Sequence, residues 1–169
     1  SLPTRPRLRM RQLGGLLLAM VAAASAGAAT NPLPPNPLAG TWTLEEAYDL
    51  LADGQRAEPY GTHPAGLLLV GPDGHYSLQI FHETRTPFAS GDKWHAADAE
   101  YRAAVLGMST HFGRIDVDMA QRTLTFRIER AAFPNWEGKA QTRPFELRDE
   151  LLSYKVPKTP TGATPVSVW

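Results

Sequence analysis

The sequence predicts an all-β domain: an antiparallel up-and-down β-barrel of about eight to nine strands, with one amphipathic helix inserted mid-chain. Three observations predict it. From residue 38 onward, short runs alternate apolar and polar side chains, each run bounded by Gly, Pro or Asp; this is the period-two signature of half-buried strands. A single segment abandons that period for a helical one. The connections are short, so neighbouring runs pair as hairpins, and closing the sheet into a barrel removes its exposed edges. A β-sandwich is the alternative, because strand pattern alone separates the two poorly.

Taken in order, Trp42, Leu44, Tyr48 and Leu50 share one parity. Leu67 to Val70 forms a brief apolar strand, Gly71-Pro72-Asp73-Gly74 a turn, and His75 to His82 the returning hairpin partner, in which Tyr76, Leu78 and Ile80 share a face. Ala97, Tyr101, Val105 and Met108 recur at helical spacing, predicting the helix over residues 96–112. Ile115 and Val117 alternate with charged neighbours. Leu124, Phe126 and Ile128 make the cleanest amphipathic strand. Phe145 and Leu147, then Leu152, Tyr154 and Val156, then Val166 and Val168 complete the series.

Ahead of this domain lie two segments of another character. Arg5, Arg7, Arg9 and Arg11 precede an apolar stretch from Leu13 to Ala24, and Ala24-Ser25-Ala26 and Ala26-Gly27-Ala28 both fit a small-residue cleavage site. Residues 1–29 therefore read as a secretory signal peptide. The apolar run is shorter than the roughly 20 residues that span a bilayer. Residues 30–37 are a proline-rich linker, expected to be extended and poorly ordered, and residues 38–169 form the barrel domain.

The whole chain carries 17 Lys+Arg and 17 Asp+Glu. Removing the signal takes four arginines and no acid, leaving 13 basic against 17 acidic side chains. A mildly acidic product has no electrostatic footprint for nucleic acid or anionic lipid. The chain contains no cysteine, so neither a lipidated cysteine anchor nor a disulfide is available, and stability rests on the packed core. The expected location is periplasmic or secreted, with no stable membrane anchor after cleavage.

Leu38-Ala39-Gly40-Thr41-Trp42, at the entrance to the first strand, resembles the Gly-x-Trp motif of lipocalins. Gly66 to Val70 with Gly71-Pro72-Asp73-Gly74-His75-Tyr76-Ser77, and Phe133-Pro134-Asn135-Trp136-Glu137-Gly138 with Gln141-Thr142-Arg143-Pro144-Phe145, resemble segments of the bacterial and fungal lipocalin-like domain proteins. The likeness runs from about residue 38 to 169. It implies a calycin-type barrel in which Gly40 permits a tight entry and Trp42 closes one end. The sequence departs from the classical lipocalins in lacking a Thr-Asp-Tyr motif and in having no arginine after Arg148.

Motifs for chemistry are absent: no Gly-x-Ser-x-Gly, no phosphate-binding glycine loop, no His-Glu-x-x-His. The five histidines (His63, His75, His82, His95, His111) fall at no recurring ligand spacing, so they read as solvated or singly hydrogen-bonded, with no metal site and no cofactor. Strand parity nominates a cavity instead. If Trp42 and Leu44 face inward, so do Glu46 and Tyr48; with Tyr76 and Ile80 goes His82; with Phe145 and Leu147 goes Arg143. Together with Tyr154, and with Trp136 as lid or packing, these residues line the candidate pocket. A buried charge costs several kcal/mol unless it is paired, so Glu46 and Arg143 require each other or a ligand.

The leading expectation is an exported binding module holding a small apolar molecule inside the barrel. One alternative is an isomerase or cyclase, with Glu46 or His82 as the acid–base group and Arg143 or a tyrosine hydroxyl steadying negative charge. The other is an envelope accessory protein that acts through its surface.

Overall fold

The computed structural model describes residue 27 and residues 31–169, so the expected signal peptide lies outside the described residues. Among the described residues ten strands form in chain order: β1 (Gly40–Thr43), β2 (Glu46–Leu50), β3 (Arg56–Ala57), β4 (Ala65–Val70), β5 (His75–Phe81), β6 (Met108–Asp118), β7 (Thr123–Ala131), β8 (Ala140–Arg148), β9 (Leu151–Lys155) and β10 (Thr164–Val168). One α-helix, α1 (Asp98–Leu106), lies between β5 and β6, and a single 3-10 turn, Pro134–Trp136, follows β7. The all-β class and the single mid-chain helix agree with the sequence.

Every strand pair is antiparallel, and the sheet order is β1-β4-β5-β6-β7-β8-β9-β10-β2-β3. From β4 to β10 this is an up-and-down meander. Its two ends are joined by the chain rather than by a continuous ladder. β1 and β2 are halves of one run that bends at Leu44-Glu45: the Leu44 N–H donates to the Gly66 carbonyl at 3.1 Å, and the next, Glu45, donates to Val168 at 2.8 Å. Up to the bend the run pairs with β4, and after it with β10. The ladder itself therefore stays open, with ten strands rather than the expected closed eight or nine.

The period-two pattern sets which faces are buried. Leu68 and Val70 of β4, Tyr76, Leu78 and Ile80 of β5, Leu124, Phe126 and Ile128 of β7, and Leu152 and Tyr154 of β9 all point into one core. Each fully buried side chain of this kind contributes roughly 1.5–3 kcal/mol. Leu38 is 0% exposed and sits under one end. There the Trp42 indole N–H donates to its carbonyl at 2.9 Å, while Gly40 takes φ +144° to bring the chain in.

The linker expectation changes at its C-terminal end. The Asn36 side chain donates to Ile115 at 2.9 Å and its backbone N–H to Pro72 at 2.8 Å, while its Oδ1 accepts from Leu38 at 2.9 Å. Asn36 is thus pinned across the β4–β5 turn and the middle of β6.

The helix also differs. It ends at Leu106, and the segment from Met108 to Phe112 is the start of β6. Apolar residues at helical spacing can equally occur in a strand that follows a helix, and here Gly107 separates the two. No residue of α1 is buried, so its apolar stripe does not dock on the core. Its N-terminus is fixed by Glu100, whose carboxylate accepts the N–H groups of Ala97 at 2.9 Å and Ala89 at 2.8 Å.

A β-bulge interrupts the β6–β7 ladder at Phe112/Gly113. At Gly113 the strands approach so closely that a Cβ would meet the Arg127 carbonyl oxygen and the Glu129 nitrogen. Both are backbone atoms in mid-sheet and cannot rotate away. Gly113→Ala is expected to destabilise the domain by about 1–3 kcal/mol, read as a lower urea midpoint with an unchanged slope.

Candidate functional site

A cavity of about 600 Å³ runs into the barrel from its open mouth. Its apolar wall is built by Leu78 and Ile80 of β5 and the aromatic rings of Phe133 and Trp136 beyond β7. Polar groups enter on alternating positions of β6 and β8: Ser109 and His111 on the first, Gln141 and Arg143 on the second. A second hollow of about 710 Å³ lies outside the barrel between the segment after β5 and α1. Its arginine, Arg85, donates to the Gly107 carbonyl at 2.9 Å and serves to hold the helix end. The interior cavity is where buried ionisable groups converge.

Arg143 is the centre of that convergence and is only 4% exposed. Its Nη2 donates to the Gln141 side-chain oxygen. Its guanidinium lies 4.9 Å from the Phe126 ring centre and 5.2 Å from that of Tyr154, a stacking that suits a planar, weakly hydrated cation. Burial lowers the Arg143 pKa, and the neighbouring phenols of Tyr154 and Tyr76 act against that shift. Tyr154 is itself raised, chiefly by burial, with Arg143, Trp169 and Ser167 pulling the other way. Those approaches fall short of good hydrogen-bond geometry at two atoms: Arg143 Nε and Trp169 Nε1 are buried without a partner.

His111, 5% exposed, stands beside this group. Its Nδ1 is 2.7 Å from the Tyr76 hydroxyl oxygen. Tyr76 has no other hydroxyl partner among the described residues, so its O–H donates to Nδ1 and the ring proton resides on Nε2. The imidazole packs edge-on against Phe126 at 5.4 Å and Trp136 at 5.8 Å. Burial first, and the Arg143 charge second, push the His111 pKa down to about 3. The phenol of Tyr76 is pushed up, mainly by burial. At neutral pH the tyrosines and the histidine are all uncharged, and Arg143 is the charge among them.

Two of the residues nominated from parity, Glu46 and His82, stand elsewhere, and a third, Tyr48, reaches only the rim. Glu46 is outside the barrel, 3.5 Å from Arg56 in an ion pair with both side chains about half exposed. The bend at Leu44-Glu45 shifts the parity: Leu44 and Ala47, three apart, are the buried pair. Tyr48 follows Glu46 outward, its ring 3.5 Å below the Arg56 guanidinium, and reaches the cavity at its rim. His82 lines the outer hollow, where its Nδ1 accepts from the Thr84 N–H at 3.0 Å; β5 ends at Phe81, and the chain turns away there.

Arg143, Tyr154 and Trp136 line the cavity. Tyr76 lies behind that lining and reaches it through His111. Gly40 and Trp42 lie at the Leu38 end. The parity reading missed His111, Asp49, Tyr60, Ser109 and Gln141. Asp49 and Tyr60 line the cavity near one another, and both have raised pKa values through burial. Among the described residues, no group of three or more His, Cys, Asp or Glu side chains gathers where a metal ion could sit.

A lipocalin-like domain family model matches residues 39–167. The chain belongs to the lipocalin-like domain family. That match covers the lipocalin-like barrel from the β1 entry to β10, and with it every residue of the cavity lining. A lipocalin-type fold generally binds small molecules. No match is found among curated proteins.

The depressed His111 pKa makes a stability prediction with a definite sign. Between about 3 and the ordinary value of 6.5 the unfolded chain binds a proton that the folded chain refuses, so stability rises with pH across that window and falls as pH drops through it. The slope from this group approaches about 1.4 kcal/mol per pH unit. Urea midpoints at pH 7, 6 and 5, where carboxylates contribute little, are expected to decline in the wild type and to flatten in His111→Phe.

Proposed function

We propose that this lipocalin-like protein is exported and holds a small, largely apolar molecule in the barrel interior. The observation that carries the binding half is the cavity of about 600 Å³ inside the sheet, with apolar walls and a few convergent polar groups. Its size falls within the roughly 300–1,000 Å³ of small-molecule sites. Interiors that serve packing alone are filled to crystal-like density and leave no such void. The isomerase or cyclase reading relied on Glu46 or His82 as the acid–base group, and neither lines this cavity. The cavity supports binding without requiring chemistry.

The export half stands on the N-terminal sequence: a basic stretch without acids, an apolar stretch and two small-residue cleavage sites. Among the described residues no helix is long and apolar enough to cross a membrane. The product is then free in the periplasm or outside the cell, without cofactor and without a nucleic-acid partner. Protein recovered from the periplasmic or extracellular fraction is expected to begin after Ala26 or Ala28 on N-terminal sequencing. Recovery of the intact N-terminus in the cytosolic fraction alone overturns this half.

Binding is tested by filling the void. Ser109 is partly buried and faces the cavity from β6. Ser109→Trp is expected to keep the far-ultraviolet spectrum of the wild type while losing at least tenfold in affinity for any interior ligand. Native mass spectrometry of both proteins, purified from their own host, reads this directly. The wild type carries an added apolar mass that the variant lacks. The same added mass on both places the ligand elsewhere.

A further inference from the structure

Burying a guanidinium without a counter-ion is expensive, and Arg143 is in that position. No ion pair among the described residues includes it, and the acceptors that approach its nitrogens, the Gln141 side-chain oxygen and the Tyr154 hydroxyl, are both neutral. The side chain lines the cavity, and most of its fork of N–H donors is unspent, with Nε buried and unpartnered. The groups around it do not supply a negative charge. Tyr76 and Tyr154 are held in their neutral forms by burial, and His111 is a neutral imidazole. The one carboxylate of the cavity lining, Asp49, acts on Tyr60 and not on Arg143. Arginine keeps its proton under these conditions, so the guanidinium stands in the cavity wall as a cation with no carboxylate in contact with it. A cation buried in this way costs several kcal/mol until an anion reaches it.

We propose that the occupant of the cavity is an amphipathic monoanion, a carboxylate on an apolar body, with the carboxylate seated against Arg143 and the body lying along Leu78, Ile80 and Trp136. This rests on the binding reading above and names the chemical class of the ligand. Arginine is suited to the seat because its planar fork matches a carboxylate with two parallel hydrogen bonds. His111 adds a second, neutral polar group to the lining, its Nδ1 engaged by the Tyr76 hydroxyl. One guanidinium balances one negative charge, which favours a monoanion and repels an ammonium head. Apolar length then supplies affinity in proportion to the area withdrawn from water.

The test compares decanoate, 1-decanol and decylamine, which share a tail and differ in the head, by titration calorimetry of the domain at pH 7. Decanoate is expected to bind at least tenfold more tightly than 1-decanol, and decylamine more weakly than either. In Arg143→Met, whose side chain replaces the buried cation with an apolar one of similar reach, the decanoate advantage disappears while 1-decanol binding is retained. Arg143→Lys keeps the charge without the fork and retains part of the preference. Equal affinity of the wild type for decanoate and 1-decanol overturns the monoanion proposal and leaves the apolar binding site standing. So does an advantage that survives in Arg143→Met. Binding of none of the three overturns both. The comparison of ligands within the wild-type chain decides the question even if a variant does not fold.

Discussion

At Leu44-Glu45 the first run of the sheet lets go of β4 and takes hold of β10. Two consecutive backbone N–H groups make the exchange, one donating to Gly66 and the other to Val168. A meander of antiparallel strands has two edges that must be managed, and an exposed edge invites pairing with other chains. Here one bent run serves both edges, half of its length on each. The bend needs a close approach at Gly66, where a Cβ would meet the Gln79 carbonyl and the Leu44 side chain. The meander wraps into a hollow body because this run spans its ends, and the cavity follows from the wrapping.

The same step determines what the cavity contains. A run that kept its period through Leu44 would send Glu46 and Tyr48 inward. The shift sends Ala47 and Asp49 inward instead and leaves Glu46 with Arg56 on the outer surface. Outside, Arg56 spans both displaced side chains, pairing with the carboxylate and covering the Tyr48 ring at 3.5 Å. Solvent-exposed pairs of this type are worth about 0–1 kcal/mol, so the arrangement is a consequence of the bend rather than its cause.

Much of the architecture is legible in the sequence because period two is a local signal. β4, β5, β7, β8 and β9 each fall where alternation places them, and Arg143, Tyr154 and Tyr76 are buried as their parity requires. The illegible parts share one physical reason: a local period cannot report a break in itself. The bend at Leu44-Glu45 hid the outward turn of Glu46. Gly107 hid the boundary between α1 and β6, so a helical spacing was extended over residues that form a strand. That second misreading concealed His111. Carrying the Ile115 parity back through Gly113 leads directly to it, and Gly113 itself, set at a bulge, is the kind of residue that marks close backbone approach rather than a strand end.

Glu46 was the carboxylate that sequence parity assigned to Arg143, and its displacement leaves Arg143 without a carboxylate partner, since the one that comes inward, Asp49, acts on Tyr60. Evolution and folding offer a buried arginine few ways to be tolerated: a carboxylate partner, ring faces, a saturated set of hydrogen bonds, or an anion from outside. Phe126 and Tyr154 supply ring faces and Gln141 one acceptor. Those contacts orient the guanidinium without neutralising it. Packing alone would be served as well by an uncharged side chain, since well-packed apolar replacements of buried ions are often neutral or stabilising. A positioned, uncompensated cation on the wall of a cavity therefore contributes most when something negative enters the cavity. In this barrel the cost of folding around Arg143 and the selectivity for an incoming ligand are two expressions of the same missing charge.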